Sequence, residues 1–288
     1  MNISILGTGL LGSAAAVRLL AQGHHLAVWN RDTHKSTALV DHGAQVLDSP
    51  DMAVRFGDVA LLFLADRAAI EAILLNAETR PALQGRTIVN MGTISPSDSL
   101  TLASALREHG ANYAECPVLG SLPEARSGTL ILMFGGTTAQ FAALSPLLHD
   151  LGAEPMHIGA VGQAAALKLA MNQLIASETA AFAMSLALVQ AHDVKVDDFM
   201  QLLRSSALYT PTFDKKLDRM LNDDFSRPNF PLDHLIKDVR LFIESADDQG
   251  ISTEVLRALA ANLQHTAEEG HGQEDYSVLQ LGFKSSTR

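Results

Sequence analysis

The chain has 288 residues, of which 47% are hydrophobic and 18% are charged, and its net charge at pH 7 is −11. This composition is typical of a globular protein large enough for two domains, and the acidic balance disfavours nucleic acid and acidic membrane surfaces as partners. The single cysteine, Cys116, excludes an internal disulfide and favours a reducing, cytoplasmic compartment. The histidines show no metal-ligand spacing, so no metal site is predicted.

The first predicted elements are a strand, a glycine turn, a helix and a second strand within residues 1–32. A short apolar run at residues 3–6 is followed at once by GTGLLG, then by an Ala- and Leu-rich run that ends at Gly23. This order is the context of a dinucleotide-binding fingerprint, in which the helix N-terminus faces the pyrophosphate. An ordinary glycine turn is the alternative. The predicted cofactor-binding residues are Gly7, Thr8, Gly9, Leu10, Leu11 and Gly12.

The end of the second strand indicates which dinucleotide is bound. Asn30 occupies the position where an NAD site usually has an acidic residue, and Arg31 follows it. Because a guanidinium binds phosphate oxygens in a bidentate manner, this pair favours NADP(H) over NAD(H). Asp32 argues the other way but lies two positions late, and Arg31 as a solvated loop charge is the alternative.

The rest of the first half alternates between strand and helix signals. Strands are predicted at residues 59–64, 87–91, 113–118 and 130–134, with helices such as 67–75 and 97–108 between them. Such alternation predicts a mostly parallel, doubly wound α/β sheet, whose ligands bind at the carboxyl ends of the strands. The loops 65–66, 92–96 and 119–121 occupy such ends.

The second half reads as helices only. Residues 162–192 contain no proline and only the first is glycine, which predicts one helix of about 30 residues, roughly 45 Å long. It is apolar nearly all round, so it is expected to be buried along much of its length, and its polar interruptions argue against a membrane span. Further helices are predicted at 196–205, 212–221, 232–247 and 253–269. The predicted domains are therefore a Rossmann-type domain at 1–161 and an all-α domain at 162–288.

Two polar residues stand out on the long helix. Lys168 is costly in an apolar helix unless it faces a polar cavity, and Asn172 lies one turn further along the same face. They are candidate catalytic residues, with a snorkelling lysine on an exposed patch as the alternative. A second pair, Lys237 and Asp238, would by itself be a solvated charge pair.

Several motifs in order resemble the β-hydroxyacid dehydrogenase family, which includes 3-hydroxyisobutyrate dehydrogenases and glyoxylate/succinic semialdehyde reductases. Besides the glycine motif, the similar segments are NMGTISP at 90–96, ECPVLGS at 115–121, the G-x(5)-K-x(3)-N pattern at 162–172, FPL through KD at 230–238, and EDYS at 274–277. The resemblance covers nearly the whole chain.

The resemblance implies a Rossmann-type domain and an all-α domain joined by a long helix. It also implies hydride transfer between NADPH and a small aldehyde or keto acid of the glyoxylate, succinic semialdehyde or 3-hydroxyisobutyrate type. Lys168 would be the general acid and base, Asn172 would orient the substrate, and the protein would be a homodimer or homotetramer. Substrate-binding residues would be Thr93, Leu119, Gly120, Ser121 and Phe230. Further cofactor-binding residues would be Leu64, Ala65, Thr93 and Lys237.

Two positions depart from the family pattern. Leu119 stands where the family commonly has a serine that donates to the substrate carboxylate, so that contact falls to Ser121, to backbone N–H groups or to a different substrate group. Gly92 also replaces a serine. Two alternatives stay open: a reductase of a less polar carbonyl or imine, and a cofactor-binding scaffold without catalysis. The retained Lys168 favours carbonyl over imine reduction.

Overall fold

The computed structural model describes residues 1–283 and divides into two compact units, Met1–Leu169 and the chain from Ala170 onward. The division falls inside a single long helix, whereas the sequence analysis places the boundary just before that helix. The first unit is built on a mainly parallel sheet and the second is helical. The predicted fold class is thereby confirmed.

Among the described residues, nine strands form the sheet of the first unit. They are β1 (Asn2–Leu6), β2 (His25–Trp29), β3 (Gln45–Val46), β4 (Val59–Leu62), β5 (Thr87–Asn90), β6 (Asn112–Glu115), β7 (Val118–Leu119), β8 (Ile131–Gly135) and β9 (Met156–Gly159). Their spatial order is β3-β2-β1-β4-β5-β6-β8-β7, with β9 beside β8. The neighbours from β3 to β6 are parallel, while β8 is antiparallel to β6 and β7. The order reverses between β1 and β4, and ligands of such sheets bind outside the strand ends at that point.

The run predicted as one strand at 113–118 is two strands. Residues Asn112–Glu115 pair with β5, and Val118–Leu119 pair instead with β8. Pro117 lies at the break, and a proline has no N–H with which to continue a ladder. The loop that follows β7 therefore starts from a strand paired with β8, which the apolar pattern alone does not show.

Helices connect these strands in the first unit. They are α1 (Leu10–Ala21), α2 (His34–Thr37), α3 (Pro50–Phe56), α4 (Arg67–Leu74), α5 (Pro96–Glu108), α6 (Leu122–Ser127) and α7 (Thr138–Leu151). Side-chain caps start several of them. Asp66 accepts from the N–H of Ala69 at the start of α4, and Ser95 accepts from the N–H of Asp98 at the start of α5. Such caps satisfy N–H groups that a helix leaves without partners.

The second unit consists of helices. They are α8 (Gln163–Ala191), which begins in the first unit, then α9 (Val196–Arg204), α10 (Pro211–Asn222), α11 (Leu232–Asp247) and α12 (Glu254–Thr266). The helix predicted to reach residue 269 ends as an α-helix at Thr266 and widens into a π-type turn at Ala267–His271. Gly270 has a φ of 105° inside this turn, which a glycine adopts without strain.

The core of the second unit is aromatic and aliphatic. The Phe182 ring on α8 stacks on Phe213 of α10, with ring centroids 4.6 Å apart. A buried ion pair ties α10 to the last described segment, because Lys216 Nζ lies 2.7 Å and 2.9 Å from the two carboxylate oxygens of Asp275. Burial alone would raise the pKa of the Asp275 carboxyl, but Lys216 together with Ser277 holds it below its usual value.

The helix α8 is less buried in the single chain than its composition predicts. In residues 1–283 it is the one helix long and apolar enough to cross a membrane by length and composition, and a third of its most apolar window is buried. Large apolar side chains such as Leu174, Met184 and Leu188 are about half exposed or more. Others, including Phe182 and Leu186, lie in the core of the second unit.

Candidate active site

The glycine turn after β1 has the geometry that a dinucleotide requires. Gly7 has a φ of 99°, and a Cβ there would collide with the carbonyl oxygen of Phe63, while a Cβ at Gly12 would collide with the carbonyl of Gly7. A Cβ built on Gly9 meets no atom within 4 Å, so this part of the backbone is open to a ligand. The first helical bond runs from Ser13 to Gly9, which leaves the preceding N–H groups of α1 at the open side. The turn therefore fits a pyrophosphate.

Asn30 holds the glycine turn in place. Its Oδ1 accepts a hydrogen bond from the Thr8 N–H at 3.1 Å, and its Nδ2 donates to the carbonyl of Asp32 at 2.8 Å. The buried hydroxyls of Thr8 and Ser36 lie 3.0 Å apart. Asn30 therefore replaces the acidic residue of an NAD site and also links the end of β2 to the glycine turn. Arg31, next to it, is exposed.

The loops after β4 and β5 approach each other closely. A Cβ on Gly92 would lie 2.6 Å from the carbonyl oxygen of Leu64, so the loop that carries Thr93 has room only for glycine at this point. Leu64 also lies beside Gly7, while Ala65 is exposed at the strand end. The buried amide of Asn90 exchanges hydrogen bonds with the backbone of Gly92, which fixes the start of this loop. These predicted cofactor residues are brought together in the first unit.

In the loop after β7, the predicted donors have partners within the chain. Gly120 has a φ of 121°, and Ser121 is the N-terminal cap of α6. Its N–H and its hydroxyl both donate to Oε2 of Glu124, at 2.8 Å and 3.0 Å. The donors expected to hold a substrate carboxylate are therefore engaged with a carboxylate of the chain itself. Leu119 is half-buried beside them.

The two candidate catalytic residues lie on α8. Lys168 is 9% exposed and Asn172 is 2% exposed, and they are one helical turn apart on the same face. This burial removes the alternative of a lysine on an exposed patch. The amine and the amide are thus held in a low-dielectric setting, where electrostatic interactions are stronger than in water.

Asp238 contacts two of the predicted site residues and was not itself predicted as one. Its Oδ2 accepts from Nδ2 of Asn172 at 2.5 Å, and its Oδ1 lies 3.0 Å from Lys237 Nζ, close enough for an ion pair but not aligned as a hydrogen bond. Asp238 is 3% exposed on the buried face of α11. A carboxylate only accepts hydrogen bonds, so it fixes the amide orientation of Asn172. An acidic residue within the apolar face of an amphipathic segment was the available signal.

Phe230 lies just before α11 and packs on aromatic neighbours. Its ring meets Tyr276 edge-on at 5.7 Å between centroids and His234 at 6.2 Å. Burial, followed by the nearby Lys237, lowers the pKa of His234 below its usual value. Phe230 is half-buried, so its ring is only partly covered by these contacts. Within residues 1–283, no cluster of three His, Cys, Asp or Glu side chains could hold a metal ion.

Comparison with known proteins gives matches over almost all of the chain. The family model for the NAD binding domain of 6-phosphogluconate dehydrogenase matches residues 2–161, and the model for the NAD-binding domain of NADP-dependent 3-hydroxyisobutyrate dehydrogenase matches residues 162–281. Glyoxylate/succinic semialdehyde reductase 1 from Arabidopsis thaliana is 30% identical over 99% of both chains.

Solved structures share the fold. The 3-hydroxyisobutyrate dehydrogenase of Mycobacterium tuberculosis superposes with a TM-score of 0.88 at 21% identity, covering 99% of this chain and 100% of that one. An imine reductase from Myxococcus stipitatus, solved with NADP+, superposes with a TM-score of 0.70 at 22% identity, over 99% of this chain and all of that one. The lower score indicates that the chain resembles the first architecture more closely.

Proposed function

Because the chain belongs to the 3-hydroxyisobutyrate dehydrogenase family and is an NAD(P)-dependent oxidoreductase, we propose that it reduces a small aldehyde or keto acid with NADPH. Glyoxylate, succinic semialdehyde and the aldehyde of 3-hydroxyisobutyrate are the substrates to test first. The observation that carries this proposal is the buried pair Lys168 and Asn172 on one face of α8, with Asn172 held by Asp238.

The side chains divide the reaction between them. NADPH supplies the hydride when it is bound. Lys168 donates the proton to the carbonyl oxygen, and in the reverse direction its neutral amine takes the proton of the alcohol. Asn172 orients the substrate. Asp238 accepts a hydrogen bond from Nδ2 of Asn172, and this contact also fixes the direction in which Oδ1 of Asn172 points.

Preference for the phosphorylated cofactor is supported by the end of β2. An acidic side chain there would bind a ribose 2′-hydroxyl, whereas the side-chain oxygen of Asn30 accepts a hydrogen bond from the Thr8 N–H. The exposed Arg31 beside it supplies a planar cation suited to a 2′-phosphate. Residues Gly7–Gly12 would hold the pyrophosphate, and Lys237 would contact the cofactor.

A second candidate function is reduction of a less polar carbonyl or an imine. The specific observation is the loop after β7, where Leu119 supplies no donor and the N–H and hydroxyl of Ser121 are bonded to Glu124. A substrate carboxylate at this loop would have to displace Glu124 and meet its charge. A neutral or cationic substrate would not.

The deciding experiment follows NADPH and NADH oxidation with a panel of aldehyde acids, neutral aldehydes, ketones and cyclic imines. Highest kcat/KM with an aldehyde acid supports the first function, and highest kcat/KM with a neutral carbonyl or imine supports the second. NADPH binding without turnover of any panel member would contradict both, and would favour a scaffold that binds the cofactor without catalysis.

Self-association is part of the proposal. The side chains of Leu174, Met184 and Leu188 on α8 are large, apolar and exposed in the single chain, and a second copy would cover them. We expect a homodimer or homotetramer in the cytoplasm, without nucleic acid or membrane. Light scattering after chromatography measures the mass, and Leu188→Glu should lower it.

A further inference from the structure

The start of α8 is held by one buried side chain that is not among the predicted site residues. Glu115, the last residue of β6, is fully buried. Its Oε1 accepts from the N–H groups of Gly162 and Ala165, at 2.8 Å and 3.0 Å. The backbone of Ala164 is also a hydrogen-bond partner. The carboxyl group thus takes most of the N–H groups that the first turn of this helix leaves unsatisfied.

The other side of the carboxyl group is also fixed. Its Oε2 accepts from the hydroxyl of Ser99 on α5, and that hydroxyl lies 2.9 Å from the hydroxyl of Tyr113. A Cβ on Gly135 of β8 would lie 2.6 Å from Oε1, so glycine leaves room for the carboxyl group at this point. Burial raises the pKa of Glu115, and the hydroxyl and amide donors oppose that rise.

Lys168 lies one turn beyond the amides that Glu115 accepts. Lys168 follows Ala165 by three residues, so both are on the same face of adjacent turns of α8. A shift of the first turn moves the lysine side chain by a similar amount. Acid–base catalysis depends on such placement, since a 1 Å misplacement can cost roughly 10²-fold in rate.

We infer that Glu115 is a positioning residue for the reaction, which fixes the first turn of α8 against β6 and so sets the place of Lys168. The inference rests on the proposed role of Lys168 as the proton donor. Glu115 acts through the oxygen positions of its side chain rather than through contact with substrate.

Three variants separate position from charge. Glu115→Gln keeps an acceptor oxygen at the same distance from the backbone and removes the charge. Glu115→Asp keeps the charge but is shorter by one carbon–carbon bond, about 1.5 Å, so it cannot reach the same N–H groups. Glu115→Ala removes both. We expect kcat to fall about 10²-fold in Asp and Ala, to stay within about 10-fold of wild type in Gln, and the Kd for NADPH to remain unchanged in all three.

The matched control is Thr137→Ala. Thr137 caps α7 in the same unit by accepting from the N–H of Gln140, and α7 carries no candidate site residue. The substitution removes a helix cap in the same unit, so it should lower the stability of the fold while leaving kcat unchanged. If Thr137→Ala lowers kcat as much as Glu115→Asp at similar loss of thermal stability, Glu115 is a structural cap only and the inference is overturned.

Hydrogen exchange of the amides at 162–168 gives a readout independent of turnover. Exchange there should accelerate in Glu115→Asp and stay at the wild-type rate in Glu115→Gln. If exchange is unchanged in Glu115→Asp, or if kcat is higher in Glu115→Asp than in Glu115→Gln, then Glu115 does not position Lys168 through its side-chain oxygens. If wild type turns over no panel substrate, the proposed function fails, and the exchange data then decide whether Glu115 fixes α8.

Discussion

Asp238 connects two of the proposed site residues, so its replacement by asparagine tests whether they work as a unit. The substitution keeps an oxygen that can accept from Asn172 and removes the charge that faces Lys237. The hydrogen bond to a charged acceptor contributes about 1.5–3 kcal/mol and a neutral one about 0.5–1.5, so roughly 1 kcal/mol is lost there. Lys237 is 31% exposed, so the lost ion pair adds about 1 kcal/mol at most.

Together these losses amount to about 2 kcal/mol, which corresponds to roughly a 30-fold decrease in kcat/KM if they are expressed in the transition state. Steady-state NADPH oxidation with the preferred panel substrate measures this decrease. Asp233→Asn is the control, because it makes the same change on an exposed turn of the same helix, where the Asp233 carboxylate accepts from Gln273 and lies beside Gly272. If kcat/KM of Asp238→Asn equals that of the wild type, the role of Asp238 in holding Asn172 and Lys237 is refuted.

Four further results are expected. Lys168→Ala should lower kcat by roughly 10²–10⁴-fold with NADPH binding intact, measured by fluorescence titration, and alcohol oxidation by wild type should rise with pH. Arg31→Ala should raise the KM for NADPH and leave that for NADH nearly unchanged; equal wild-type use of both would contradict this. Leu119→Ser should shift preference toward glyoxylate through KM, and an unchanged ranking with a lower melting temperature would mean that Leu119 only packs. Lys216→Met should cost about 3–5 kcal/mol at pH 7 in urea unfolding.

The pH dependence of that last variant follows from Asp275. Its folded pKa lies below the unfolded value of about 3.9, so the ion pair stabilises the fold above that pH and the contribution disappears as the pH falls through the folded pKa. The difference in unfolding free energy between wild type and Lys216→Met should therefore shrink below about pH 4. A difference that stays constant from pH 7 to pH 3.5 would show that lost packing, not lost charge, is responsible.

Local patterns predicted much of the fold. The glycine turn, the alternating first half and the bounds of α8 follow from periodicity and from the positions of glycine and proline, which act within a few residues. The predicted helix at 232–247 matches α11 residue for residue. The short strands β3 and β9 were not predicted, because two to four residues at a sheet edge carry too little pattern.

The site was predicted less completely because its contacts are distant in sequence. Asn172 and Asp238 are 66 residues apart, and Glu115 lies 47 and 50 residues from the amides that it accepts. No spacing rule links such positions. Ser121 shows the opposite problem, since its partner Glu124 is only three residues away and the S-x-x-E spacing of a capping box was present in the sequence. The capping contact of Ser121 was therefore predictable from local spacing, whereas its role in substrate binding is a prediction from the family resemblance.

The polar side chains at the strand ends share one use of their oxygens. Asn30 after β2 accepts from the Thr8 N–H, Asn90 at the end of β5 accepts from Gly92, and Glu115 at the end of β6 accepts from the start of α8. Each therefore orders the backbone of a segment that carries site residues. Because these acceptors are engaged with the backbone, we expect cofactor and substrate selectivity to come from neighbouring positions. Changes at the exposed Arg31 should therefore alter which cofactor is used, and changes at the half-buried Leu119 should alter which substrate is used. Changes at Asn30, Asn90 or Glu115 should instead lower the turnover of every substrate.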